Sequence, residues 1–183
     1  MLTQTQSITV DQFEAMLALP ENRDRLPELI DGEIIEKMPP QEHGFVNTDI
    51  VILLGIFVRS TGKGRIGIEV RHRMPADAHN SRLPDISYYA EAPDPIIKKG
   101  AVPYMPDLAI EVKSADDSLK AMREKAKYYL ANGSRMVWLV LPDQRLVEVY
   151  TPTDENILTE NELLDGGSVL PGFSVKVSEL FRV

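Results

Sequence analysis

Asp85, following Pro84, and then Glu111 and Lys113 have the types and the order needed for metal-assisted hydrolysis. The later pair lies in Met105-Pro106-Asp107-Leu108-Ala109-Ile110-Glu111-Val112-Lys113-Ser114, which reads as a β-strand. Side chains alternate between the faces of a strand, so Leu108, Ile110 and Val112 fall on one side and Asp107, Ala109, Glu111 and Lys113 on the other. One face is expected to be core and the other a row of charge. Acids on such a strand are costly to bury unless they are paired or bound to a cation, and a divalent metal is one such compensator. Two carboxylates on neighbouring strands suit Mg²⁺, which takes oxygen ligands and keeps several waters. Lys113, about 6–7 Å from Glu111 along the strand, is then placed to orient or deprotonate a water, or to stabilise charge on a phosphate. A salt-bridged strand with no chemistry is the competing reading of Asp85, Glu111 and Lys113.

Composition removes several other chemistries. The chain has no cysteine, so it has no disulfide framework, thiolate zinc site or thiol nucleophile, and any metal must be held by oxygen or histidine. It has no glycine-rich phosphate loop, no dinucleotide fingerprint and no G-x-S-x-G elbow. His43, His72 and His79 are scattered and make a poor zinc set. A formal charge of −8 argues against non-specific coating of nucleic acid, which depends on phosphate neutralisation by Lys and Arg. The average hides a local basic cluster of Arg59, Lys63, Arg65, Arg71, Arg73 and Arg82, opposed by Glu69 and Asp77. Arg65, Arg71, Arg73 and Arg82 are candidates for phosphate contacts, with a solvated charged edge as the alternative.

The elements that must position these residues are readable in order. Thr9 is a plausible N-cap for a short helix ending near Pro20. Asp31-Gly32 between two apolar segments marks a β-hairpin, whose Glu28 and Glu33 would face a site only if the hairpin lies over the sheet. His43 opens a long helix, expected over Glu42 to Ser60, whose broad apolar stripe fits burial against a sheet. A lone His there is more often a hydrogen-bonded structural residue than a ligand. Gly64 to Met74 and Leu83 to Ala90 read as strands, with Asp85 at the entry of the second. After the Met105–Ser114 strand, a helix over Ser118 to Ala131 and the apolar run Arg135 to Leu141 complete a βαβ unit. A further strand at Leu146 to Tyr150, short β pieces and a last helical turn at Ser178 to Phe181 follow.

With 183 residues and 43% hydrophobic content, one domain over 1–183 is expected. No apolar run approaches about 20 residues and the N-terminus lacks a signal-peptide pattern, so a cytoplasmic protein without a membrane partner is expected.

The arrangement of Pro84-Asp85, a spacer and Glu111-x-Lys113 resembles the PD-(D/E)xK nuclease motif. More of the chain resembles the Uma family of restriction endonucleases within that superfamily. The matching positions are Glu28 to Glu33, His43, Pro84-Asp85, Pro106 to Val112, Lys125 and Tyr129, Gly133, Val137-Trp138-Leu139-Val140, Val149-Tyr150 and Leu170-Pro171-Gly172-Phe173. The resemblance implies a restriction-endonuclease-like α/β fold: a central mixed β-sheet flanked by helices, with an N-terminal helix and β-hairpin. It also implies Asp85 and Glu111 as ligands of Mg²⁺ or Mn²⁺, Lys113 as catalytic lysine, and DNA as substrate. Many family members supply the lysine from the following helix, where this chain has Lys125. Lys125 is therefore either a second lysine of the site or a helix residue paired with Glu124 or solvent. Asp107 stands as a supporting acid or a strand-entry turn residue. Two readings of function stay open: an endonuclease, plausibly a homodimer because two cuts in a duplex need two sites, or a nuclease-fold module for binding or dimerisation that cuts nothing.

Overall fold

The computed structural model describes residues 7–22 and 24–182. Its first helix, α1 (Val10–Leu17), starts where the sequence provides a cap. Thr9 Oγ1 accepts from the Gln12 N–H and the Gln12 side chain returns the bond to the Thr9 N–H, closing a capping box. Strands β1 (Glu28–Ile30) and β2 (Glu33–Ile35) form the expected hairpin, turning on Asp31 and Gly32 with φ of 50° and 82°. Two successive left-handed residues are what a two-residue hairpin turn requires, and Asp-Gly tolerates them.

Helix α2 (Gln41–Thr61) ends at Gly62, whose φ of 67° closes the helix in the left-handed region. It buries Val46, Ile50 and Leu54 against the sheet and leaves Phe45, Ile52 and Ile56 exposed. By length and composition this helix is able to cross a membrane, its most apolar 18-residue window having a mean hydropathy of 1.4. Its apolar run is interrupted by Glu42, Asp49 and Arg59 and by Gly44 and Gly55. In this structure the helix serves as one cover of the sheet.

The main sheet has six strands in the order β3 (Arg65–Ile68), β4 (Ile86–Tyr89), β5 (Leu108–Val112), β6 (Met136–Leu141), β7 (Leu146–Tyr150) and β8 (Glu155–Thr159). Only β5 and β6 are parallel, joined through α3 (Leu119–Ala131) as the βαβ pattern predicts. Strands β9 (Leu163–Asp165) and β10 (Ser174–Lys176) form a small hairpin, followed by a 3-10 turn at Val177–Leu180.

Two helices cover opposite faces of this sheet. Ile86, Leu108, Ile110, Val112 and Trp138 pack under α2, while Ala109, Val137, Leu139 and Leu141 pack under Met122, Ala126 and Tyr129 of α3. Strand β5 is thus buried along its whole length on both faces, not on one. The strand expected over Gly64 to Met74 is shorter. Glu69 adopts a left-handed φ of 51° and breaks it, and His72 then joins Arg82 and Val102 through isolated bridges. The first hairpin does lie against this region: Leu29 exchanges two backbone hydrogen bonds of 2.9 Å with Ser81.

Candidate active site

Asp85 immediately precedes β4, and its carboxylate turns inward at 5% exposure. Oδ2 accepts from the Val112 N–H at 2.8 Å and lies 3.1 Å from His43 Nε2, while Oδ1 lies 3.2 Å from Lys37 Nζ. Burial alone would raise this carboxyl, but Lys37, His43 and the Val112 N–H outweigh it and hold it down at about 2.

Glu111 projects from β5 on the face that α3 covers. Residues four apart share a helix face, so Lys125 and Tyr129 of α3 both reach it. The Tyr129 hydroxyl donates to Glu111 Oε1 at 2.7 Å; Oε2 lies 3.5 Å from Lys125 Nζ and 3.4 Å from Lys37 Nζ. Burial, with Asp85 and Glu28 nearby, raises this carboxyl above its ordinary value despite the two lysines. Burial and the same carboxylate push the Tyr129 phenol well up, so it stays a donor.

Glu28, fully buried on β1, is the third acid. Its Oε1 accepts from the Leu83 N–H at 2.8 Å, and its Oε2 pairs with Lys125 and lies 3.7 Å from Lys37 Nζ. The two lysines lower its carboxyl against the effect of burial. Burial pulls the Lys37 ammonium down, but Glu111, Asp85 and Glu28 together drive it well above the ordinary lysine value.

The site therefore holds three carboxylates and two ammonium groups, one positive charge short of balance. His43 links Asp85 to Asn47, its second ring nitrogen 3.1 Å from Asn47 Nδ2; burial lowers its pKa, but Asp85 outweighs burial and raises it. Among the described residues no three His, Asp or Glu side chains converge closely enough to form a ready cage for a metal. The donor chemistry nevertheless suits Mg²⁺ or Mn²⁺: hard carboxylate oxygens, no sulfur, and an excess of negative charge. Asp85 and Glu111 are spanned by one ammonium, at 3.2 and 3.4 Å, where a cation of either kind is favoured.

Several expected site residues stand elsewhere. Lys113 follows the last residue of β5, and its Nζ bonds the Ser114 carbonyl at 3.0 Å and pairs with Asp143 at 3.6 Å. It makes no ion pair with Asp85 or Glu111 among the described residues; Lys125 and Lys37 do. Asp107, at the opposite end of β5, accepts from the Ala90 N–H at 2.8 Å and faces Arg135 at 3.5 Å, a strand-entry tie. Glu33 is exposed at the turn end of the hairpin, beyond the level of Glu28.

The basic cluster is dispersed rather than gathered into a rim. Arg82 is 5% exposed and stacks on the Tyr128 ring at 4.3 Å; Arg73 pairs with Asp11 and Glu14; Arg71 donates to the Pro27 carbonyl. Only Arg65 of the four is exposed. The segment carrying the other three folds under α1 and beside α3 instead of continuing a strand.

Lys37 was not found by sequence reasoning. It carries no motif, and only the hairpin's position on the sheet brings it to the acids. Tyr129 was not singled out as a site residue either; its spacing of four from Lys125 on one helix face was the signal available.

A central mixed six-strand sheet sandwiched by helices is a restriction-endonuclease-like fold. The sequence profile of the Uma2 family, described as "Putative restriction endonuclease", matches residues 10–178. The chain belongs to the Uma2 family. Its structure resembles that of a "putative nuclease" from Anabaena variabilis, with a TM-score of 0.79, 28% identity and coverage of 95% of this chain and 97% of that one. A DrdV–DNA complex is 17% identical over 78% of this chain and 13% of that one, with a TM-score of 0.34, too slight a likeness to carry an argument. Comparison with curated proteins produced no match.

Proposed function

We propose that this chain is an endonuclease that hydrolyses phosphodiester bonds of DNA with Mg²⁺ or Mn²⁺ held by Asp85 and Glu111. The observation that carries this reading is the meeting of Asp85, Glu111 and Lys125 in one buried polar cluster. The family's description as a restriction endonuclease supports DNA as the substrate. A divalent ion held there supplies charge neutralisation at the phosphate and a water of lowered pKa.

The chain's own residues prepare the site. The Val112 N–H and His43 fix the orientation of Asp85, and Tyr129 fixes that of Glu111. Lys125, on a helix packed against the sheet, presents an ammonium beside Glu111 that can stabilise charge growing on a phosphate. Lys113, paired with Asp143, is given no role in the reaction. The active form is proposed to be a homodimer, so that each strand of a duplex meets one site.

Cleavage of supercoiled plasmid with Mg²⁺ or Mn²⁺ tests the assignment. Asp85→Asn, Glu111→Gln and Lys125→Met are expected to lose at least about 100-fold in rate, while Lys113→Met stays within a few-fold of wild type. Equal activity in wild type and Asp85→Asn would sink the site. Loss in Lys113→Met with retention in Lys125→Met would return the lysine's role to the strand.

A further inference from the structure

Lys37 makes contacts that the proposed reaction does not use. One ammonium touches all three acids of the site, at 3.2 Å from Asp85, 3.4 Å from Glu111 and 3.7 Å from Glu28, and also bonds the Leu83 carbonyl at 2.9 Å. We propose that the Lys37 ammonium is the built-in occupant of the cation position: it holds the carboxylates together in the metal-free protein and swings out when a divalent ion binds. The inference rests on the metal-dependent reading above and adds to it a residue that sets the affinity of the site.

Charge supports the exchange. With Lys37 in place the three carboxylates face two ammonium groups; with it withdrawn, two negative charges are left unmatched, the complement of one divalent ion. Position supports it as well. The Lys37 side chain is 25% exposed, against 14% for Lys125, 6% for Asp85, 4% for Glu111 and none for Glu28, so the way from solvent to the carboxylates passes Lys37. The tether permits the movement. Lys37 lies between β2 and α2, outside any helix or strand, and the next residue, Met38, is 92% exposed. A lysine head on a flexible four-carbon stem turns outward there without unfolding an element. Lys125 extends from mid-helix in α3, where its ammonium pairs with Glu28 and Glu111.

If the two cations exclude each other, the apparent affinity for metal is reduced by the fraction of molecules in which Lys37 is seated. Calorimetric titration of Mn²⁺ into wild type and Lys37→Met, each shown to be folded by circular dichroism, should give binding at least about 10-fold tighter in the variant. Unchanged or weaker binding in Lys37→Met overturns the inference and leaves the metal reading standing. Absence of Mn²⁺ binding in both proteins removes the metal reading and this inference with it.

A second measurement needs no variant and separates displacement from simple repulsion. Acylation of wild-type protein by an amine-reactive ester, quantified by mass spectrometry with Lys127 of α3, whose side chain is 62% exposed, as internal reference, should rise several-fold at Lys37 on saturation with Mn²⁺. Unchanged or reduced labelling of Lys37 while Mn²⁺ is bound overturns the proposal, whether or not Lys37→Met folds.

Discussion

Glu111 tolerates 3% exposure only because both of its oxygens have partners: the Tyr129 hydroxyl on one, and Lys37 and Lys125 on the other. Removing the hydroxyl in Tyr129→Phe leaves a buried acceptor unpaired and is expected to cost about 1–3 kcal/mol, read by urea denaturation. The same change should lower cleavage through kcat with little effect on KM, because Tyr129 positions an acid and touches no substrate. At this scale the sequence pointed to Asp85 and Glu111, which the fold brings together, and to Asp107 and Glu33, which it does not, and it was a poor guide to lysines. Strand alternation places Glu111 on one face whatever surrounds it, but a lysine head lies several bonds from its backbone. Lys113, two residues on from Glu111 and just past the end of β5, reaches Asp143 instead.

At the scale of elements, the loop between β3 and β4 shows what periodicity does not reach. His72 in that loop is fully buried, with one ring nitrogen 2.7 Å from the Tyr104 carbonyl and the other 3.0 Å from Ser87 Oγ. Burial lowers its pKa from the ordinary 6.5 to about 4. The unfolded chain therefore takes up a proton as pH falls below 6.5 while the folded one does not until about 4. The stability that neutral His72 contributes is present above 6.5 and is lost on the way down, by roughly 3 kcal/mol. Thermal melts should show the difference between wild type and His72→Asn shrinking from pH 7 to pH 4.5; a constant difference would contradict this. The alternating residues from Arg65 onward suggested one long strand, but the left-handed Glu69 ends it. Arg71, Arg73 and Arg82 then tie that loop to α1 and α3.

For the whole molecule, the charge of −8 works against attraction of a duplex by phosphate neutralisation alone. Binding to DNA is expected to depend on the divalent ion. Fluorescence anisotropy with a labelled duplex and the cleavage-deficient Glu111→Gln variant should show only weak binding in EDTA. Wild type in Ca²⁺, which occupies hard-oxygen sites, should bind at least about 10-fold more tightly than wild type in EDTA, with a shallow dependence on salt. Equal affinity with and without the ion would point to a basic surface outside the site.

The sequence by itself determined the acids and the frame that carries them. Asp85 at a strand entry, Glu111 on the βαβ strand, Thr9 as a cap and Asp31-Gly32 as a turn each follow from rules that span a few residues, and such rules can be read along a chain. The tertiary structure alone decided which cations meet those acids. Glu28 and Lys37 reach the site because the first hairpin pairs with Ser81, and Lys125 reaches it because α3 packs on the face from which Glu111 projects. Those meetings depend on contacts between residues far apart in sequence, 74 positions for Lys37 and Glu111, and no local pattern encodes them. The strand that first suggested chemistry carries Glu111, and the lysines beside that acid come from α3 and from the end of the first hairpin.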